Sequence, residues 1–387
     1  MSGEQEKKPA IVQEAKQAGE VLYRWAWVEP AVWTLAERPR LTALEEGVKG
    51  GKWFSLIDKV SSRRMLDRAF ELIEAKGKGK AVGVDHQTVE MYGKRQEEQT
   101  EYLARTLKDG SYQPSAIRRV LLPKPGSKEK REIGIQTVRD KVVQKAMQAA
   151  MEPIFEREFA QYSYGFRPER SCKDALRRVD QLLKEGNEWV VDADLRSYFD
   201  TIPHEELMTR IGEKIADGRL LELIGKYLKQ GVLEGMREWE PDMGTPQGAI
   251  ISPLLSNIYL DPLDHLMERN GIEMVRYADD IVLLCRSEIE AQEALRQITI
   301  WTTEAGLTLH PEKTRIVNAA VPGGFDFLGY HFEGGRKTPR KKSLDKIKSA
   351  IREKTGRSNG HSLETRACQE LCVNDFLFFD LALFQFN

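Results

Sequence analysis

With 387 residues, 41% apolar and 31% charged, the chain can bury cores for two or three domains and has the composition of a soluble globular protein. Its four cysteines form no CxxC pair, which argues against a disulfide framework, and His361, Cys368 and Cys372 are one ligand short of a zinc site. The formal net charge of −1 conceals two basic blocks: nine Lys or Arg from Arg118 to Lys145 against Glu129, Glu132 and Asp140, and ten from Arg336 to Arg357 against Asp345 and Glu353. Such blocks suit contact with a polyanion, solvated helix faces being the plain alternative.

Residues 1–50 are polar and mixed, with Trp25, Trp27 and Trp33 clustered, and lack a signal-peptide core. Leu56 to Ala75 carries apolar residues at helical spacing, and GKGKGKAVGVD breaks that helix with a linker. A second helix covers Val89 to Leu107. IRRVLL from Ile117 and REIGI from Arg131 are strands around the turn PKPGSKEK, a hairpin with a basic tip. Val138 to Phe159 reads as a helix carrying Pro153, the loop QYSYGFRPERS follows, and Lys173 to Lys184 is an amphipathic helix. WVVDADL from Trp189 is a strand. FDTIPHEEL opens a helix with Pro203 in its first turn and Glu205 and Glu206 at the positive end of its dipole. MGTPQGAIISPLLSNIYLDPLDHLM is a glycine-rich turn feeding a long helix that tolerates Pro253 near its start. MVRYADDIVLLC is strand, turn and strand; Glu288 to Ala305 is a helix closed by Gly306; RIVNAA and FDFLGYHF are later strands. Strands and helices mix without regular alternation, so the expected class is α+β rather than a doubly wound sheet. The C-terminal FLFFDLALF is too short to span a membrane and contains an acid. No membrane partner is expected, and the expected compartment is the reducing cytoplasm.

The adjacent acids Asp279 and Asp280 interrupt an apolar run. Neighbours in a strand point to opposite faces, but at a hairpin tip both can flank one site. Near a partly dry core their repulsion is costly, and a divalent metal converts that cost into binding. A third acid, Asp194, ends the apolar strand of VVDADLRSYFD. Three acids so placed can hold two Mg²⁺ that clamp the attacking and leaving oxygens of an in-line phosphoryl displacement. Asp192 shares the face of Asp194, and spacing alone does not choose between them. A polar turn with its acids in water is the plain alternative.

Seven blocks in order resemble group II intron-encoded reverse transcriptases of the maturase type: LLPKPGSKEKREIGIQTVRDKVVQ, YSYGFRPERS, VVDADLRSYFDTIPH, GTPQGAIISPLLSNIYL, RYADDIVLL, GLTLHPEKTRI and FDFLGYHF. They run from about Leu56 to about Arg357. The resemblance implies a right-hand polymerase fold with fingers and palm. It implies metal-binding acids at Asp194, Asp279 and Asp280, favouring Asp194 over Asp192, with two Mg²⁺ (Mn²⁺ as substitute). It makes Phe199 the aromatic gate that leaves no room for a 2′-OH, and Lys124 and Arg131 the finger residues gripping the incoming triphosphate. Gln247 is placed near the nascent base pair, Lys313 as the lysine that protonates pyrophosphate, Arg167 as a template or nucleotide contact, and FLGYHF as the primer grip. The implied partners are an RNA template, a primer, dNTPs and a structured group II intron RNA.

Two departures from the family pattern stand out. Glu132-Ile133 replaces the usual proline-leucine pair after Arg131, and the text after HSLETRACQ changes to ELCVNDFLFFDLALFQFN where a helical thumb is expected. The expected organisation is an extension over 1–50, fingers over 51–187, a palm with the acids and primer grip over 188–335, and a basic segment with an atypical apolar tail over 336–387, the thumb being incomplete. The expected function is RNA-templated DNA synthesis from a 3′-OH, with a maturase role in splicing and mobility. The alternatives are a non-polymerising maturase-like RNA-binding protein and a defence-associated reverse transcriptase.

Overall fold

A computed structural model describes residues 51–76, 81–123, 130–235, 237–246 and 248–355. Residues 1–50, Lys124, Gln247 and the apolar tail lie outside the described residues. In chain order the elements are α1 (Ile57–Val60), α2 (Arg63–Ala75), α3 (Val89–Gly93), α4 (Gln96–Asp109), β1 (Ile117–Pro123), β2 (Lys130–Ile135), α5 (Val138–Glu156), α6 (Cys172–Lys184), β3 (Trp189–Asp194), α7 (Tyr198–Thr201), α8 (His204–Lys214), α9 (Gly218–Leu228), β4 (Val232–Glu234), β5 (Arg237–Trp239), α10 (Ser252–Arg269), β6 (Glu273–Tyr277), β7 (Asp280–Cys285), α11 (Glu288–Glu304), β8 (Arg315–Asn318), β9 (Phe325–Phe327), β10 (Tyr330–Glu333), β11 (Arg336–Pro339) and α12 (Lys341–Thr355).

Several expected elements change at their ends for local reasons. The helix expected over Leu56 to Ala75 is broken at Ser61-Ser62, where the Ser62 hydroxyl accepts from Met65 N and starts α2 afresh. The helix expected from Val89 divides at Lys94-Arg95 into α3 and α4. Pro203 precedes α8 as its N-cap, in extended backbone, instead of lying within its first turn. FDFLGYHF is two strands rather than one, reversed at Leu328-Gly329, both with positive φ.

The chain divides into two compact units, each assembled from separate stretches. The first combines residues up to Phe159 with Phe199–Tyr259. Its sheet has the order β2-β1-β4-β5, with β1 antiparallel to β2 and parallel to β4. Helices α2, α4 and α5 pack together, and Leu66, Phe70, Leu103 and Met147 on them are fully or nearly fully buried. Asp140 is buried at the start of α5, where it accepts from the hydroxyls of Thr137 (2.6 Å) and Tyr112 (2.7 Å). Burial raises its pKa and these two bonds oppose the rise. A buried carboxylate so thoroughly bonded ties the helix start to the approach of β1.

The second unit combines Ala160–Tyr198 with the chain from Leu260 onward. Its four-stranded antiparallel sheet has the order β6-β7-β3-β8. Residues two apart share a face. Val190, Val282 and Leu284 face a core made with Ala175, Val179 and Leu182 of α6 and with Phe325 and Phe332 of the β9–β10 hairpin. Those two phenylalanines stack at 5.1 Å. α11 packs on β3, β7 and β8. The fold is α+β, as expected.

Candidate active site

The face of the sheet that carries Val190 and Val282 also carries Asp192, Asp194 and Asp280. On β3, Val190, Asp192 and Asp194 alternate with the buried Val191 and Ala193. The ladder gives the two acids different surroundings. Asp194 is the last residue of β3 and is the Cα partner of Asp280, the first residue of β7. Asp192 lies two rungs inward, opposite Val282, and is ion-paired with Arg315 at 3.6 Å. Asp279 sits in the two-residue turn between β6 and β7, preceded by Ala278 at φ +59°.

The electrostatics of this end of the sheet are strained. Burial first, and then the Asp194 charge, push Asp279 up to about 6. Burial and the charges of Asp279, Asp194 and Asp192 push Asp280 up to about 7. Asp192 rises to about 6, again through burial, against the lowering influence of Arg315. Lys313 donates to Asp194 Oδ2 at 2.8 Å, while the Asp194 carbonyl accepts from His310 N at 2.7 Å. The loop HPEKT is thereby fastened to the end of β3 through both side chain and backbone.

The turn is built from beneath by residues that the sequence did not single out. Arg276 is fully buried; its Nε donates to both Asp264 oxygens (2.8 and 3.1 Å) and its Nη1 donates to the Ala278 carbonyl (3.0 Å). Gly165 lies against the same turn, and a Cβ there would come within 2.2 Å of Ala278 N. Tyr164 N donates to the Arg276 carbonyl (2.8 Å), and Arg276 N to the Tyr162 carbonyl (3.0 Å). Arg167 is also buried, and its Nη1 donates to the carbonyls of Ala160 (2.6 Å) and Ser163 (2.8 Å). These two bonds go to its own loop, the loop that supports the acid turn. A buried arginine paired with a carboxylate ten or more residues away leaves no periodic signal in a sequence, which is why Arg276 and Asp264 escaped notice.

In the first unit, Phe199 is half-buried in α7, and the chain from Phe199 to Ile202 is bound to Gly244 and Thr245. Thr245 N donates to the Phe199 carbonyl at 2.6 Å and Gly244 N to the Ile202 carbonyl at 2.8 Å. Gly244 has φ +88°, and a Cβ on it would lie 2.8 Å from the Phe199 and Asp200 carbonyls. Only glycine accommodates both the conformation and the approach. Arg131 falls on β2 opposite Leu122, within the expected hairpin.

Comparison with known proteins decides the family. The reverse transcriptase (RNA-dependent DNA polymerase) family matches residues 122–332, more than half of the chain. The chain belongs to the reverse transcriptase family. Protein YkfC of Escherichia coli (strain K12) is 37% identical over 287 residues, 64% of this chain and 74% of that protein. The group II intron-encoded protein LtrA of Lactococcus lactis subsp. cremoris is 43% identical over 168 residues, 43% of this chain but only 28% of LtrA. Among solved structures, telomerase from Candida albicans is similar over 76% of this chain and 60% of that chain, at 14% identity and a TM-score of 0.46. The chain spans 28% of LtrA and 34% of a 91 kDa protein in the cob intron of Schizosaccharomyces pombe, to which it is 32% identical over 276 residues.

Reverse transcriptases generally depend on divalent metal, and the donor chemistry of this member suits one. Carboxylate oxygens are the ligands hard cations take. Asp279 Oδ1 is buried without a hydrogen-bond partner among the described residues, a position that only a cation or a donor would relieve. Among the described residues no three Asp, Glu, His or Cys side chains form a ready-made ion cage. No described helix is long and apolar enough to cross a membrane.

Proposed function

We propose that this chain is an RNA-directed DNA polymerase that extends a DNA or RNA 3′-OH primer on an RNA template, with a maturase role toward a structured group II intron RNA. The observation that carries the reading is the register of β3 against β7, with Asp194 opposite Asp280 and Asp279 in the adjoining turn. Asp194, Asp279 and Asp280 would hold two Mg²⁺, or Mn²⁺ in their place. When bound, such ions supply charge stabilisation at the attacking and leaving oxygens of nucleotidyl transfer.

The chain's own groups do the rest. Lys313 holds the Asp194 carboxylate at 2.8 Å and would serve as the proton donor to a departing pyrophosphate. Phe199, fixed through its carbonyl to the GTPQG turn, excludes the ribose 2′-OH. Lys124 and Arg131 neutralise the triphosphate, and Gln247 lines the nascent base pair, as the family resemblance suggests. Arg167 braces the loop beside the acid turn and would support template or nucleotide contact there, as the family resemblance suggests.

The test is primer extension on an RNA template with dNTPs and Mg²⁺, run beside filter binding to structured RNA. Incorporation that Asp279→Ala abolishes is the expected result. Tight, salt-sensitive RNA binding with no incorporation would instead identify a non-polymerising RNA-binding protein.

A further inference from the structure

Resting on the polymerase reading, we infer that Arg276 and Asp264 are positioning residues for the reaction: their buried ion pair holds the Ala278 carbonyl and thereby sets the Asp279 carboxylate relative to Asp194 and Asp280. The geometry is specific. Arg276 stands on β6 next to the turn it grips, with both side chains of the pair buried. Asp264 takes Nε through both carboxylate oxygens and also accepts from Nη2. That leaves Nη1 directed at Ala278 O, 3.0 Å away. The guanidinium is a planar fork, so fixing two of its nitrogens on α10 fixes the third, which a flexible lysine cannot do.

The anchor is itself anchored. Asp264 lies on α10 one turn after Asp261, which accepts from Ala160 N (3.2 Å). Ala160 and Ser163 carbonyls in turn receive Arg167. The Tyr162–Tyr164 backbone exchanges hydrogen bonds with Arg276 N and O, and Gly165 closes against Ala278 N. The turn is therefore held at its carbonyl by Arg276 and at its amide side by Gly165. It needs both, because Ala278 has a left-handed φ of +59° that a residue with a Cβ adopts only when its surroundings impose it.

A buried ion pair adds little to fold stability over well-packed apolar residues of similar size. This separates positioning from simple structural support. In Arg276→Met/Asp264→Leu the core stays filled and melting is expected to stay near that of the wild type, while Ala278 O loses its donor. Three readouts are expected to move together. Amide exchange at residues 278–280 rises. Mn²⁺ affinity, measured by electron paramagnetic resonance, falls roughly 10–100-fold, the scale seen when groups orienting a metal ligand are removed. The extension kcat falls by a similar factor while KM for dNTP holds. Arg276→Lys, which keeps the charge but not the fork, is likewise expected to melt near the wild type and to show the same fall in kcat.

If the double variant does not fold, Asp264→Asn keeps an acceptor for Nε, removes the charge and carries the same three readouts. Exchange, Mn²⁺ affinity and kcat all at wild-type values in a folded variant would overturn the inference. A wild-type protein that neither extends primers nor binds Mn²⁺ would overturn the polymerase reading instead, and the exchange measurement would still decide whether Arg276 fixes the turn.

Discussion

Asp194 and Asp280 are Cα partners at the last rung of the β3–β7 ladder, so two carboxylates from strands 86 positions apart in sequence meet on one face of one sheet. Such a pair is stable only with protons, Lys313 or a cation between the charges. Replacing Asp194 or Asp279 with Asn is therefore expected to cut primer extension by about 100-fold or more, on the scale of lost transition-state charge stabilisation. Melting should stay within a few degrees of wild type. A single-turnover extension assay and a thermal melt on the same preparations check both statements.

The same carboxylates set a pH dependence. Asp279 and Asp280 titrate at about 6 and about 7 in the fold, above the ordinary carboxylate value near 4. Between those limits the folded protein holds protons that the unfolded chain has released, so their contribution to stability falls as pH rises. The metal-free protein is expected to lose stability on the order of 2 kcal/mol from these groups between pH 5 and 8, allowing for solvent screening. Asp280→Asn should flatten that slope and melt higher than wild type at pH 8. Urea titrations with a chelator present, at several pH values, measure it.

Phe199→Ala should admit ribonucleotides. Removing the ring opens space for a 2′-OH without adding a contact to either sugar, so the kcat/KM ratio of dNTP to rNTP should fall by roughly tenfold or more. Competition between dCTP and CTP on a defined template reads the ratio directly.

Gly244→Ala should disturb the same gate from below. The new Cβ would meet the Phe199 and Asp200 carbonyls at 2.8 Å in a backbone of φ +88°. The expected cost is about 1–3 kcal/mol of stability, with a raised KM for dNTP. Denaturant unfolding and steady-state extension separate the two effects.

Gly165→Ala should act at the acid turn. Its Cβ would press within 2.2 Å of the Ala278 amide nitrogen, a backbone atom that cannot swing aside. Extension should fall while RNA binding by filter assay is retained, because Gly165 sits beside the acids.

Much of this was legible in the sequence. Apolar runs broken by single acids gave the strands of the second unit, and the paired acids gave its hairpin tip. Thr137 and Ser171 cap the helices they precede, as such residues do. What was not legible depends on distance. The short strands β4 and β5, VLE and REW, have no alternation to read; β4 exists because it adds in parallel to β1. Strand β11 reads as solvated RKTP and forms by pairing with β10. Asp192 and Asp194 were equivalent by spacing, and only the cross-strand partner of each tells them apart. Arg167 is placed near template or nucleotide by the family resemblance alone, and its hydrogen bonds to the Ala160 and Ser163 carbonyls of its own loop leave no mark in the sequence.

Because consecutive side chains on β3 alternate between two surfaces, the acid-bearing end of the sheet is intolerant of odd-numbered length changes. Dropping one residue between Trp189 and Ala193 would invert the strand's parity: if Asp194 kept its rung, every residue before the gap would swap surface, sending Val190 away from α6 and exchanging polar for apolar positions along its whole length. The joint at Arg286-Ser287, outside the strands, is free of that parity rule. Natural or engineered indels in such chains should therefore collect in joints of this kind and be absent from the six residues of β3.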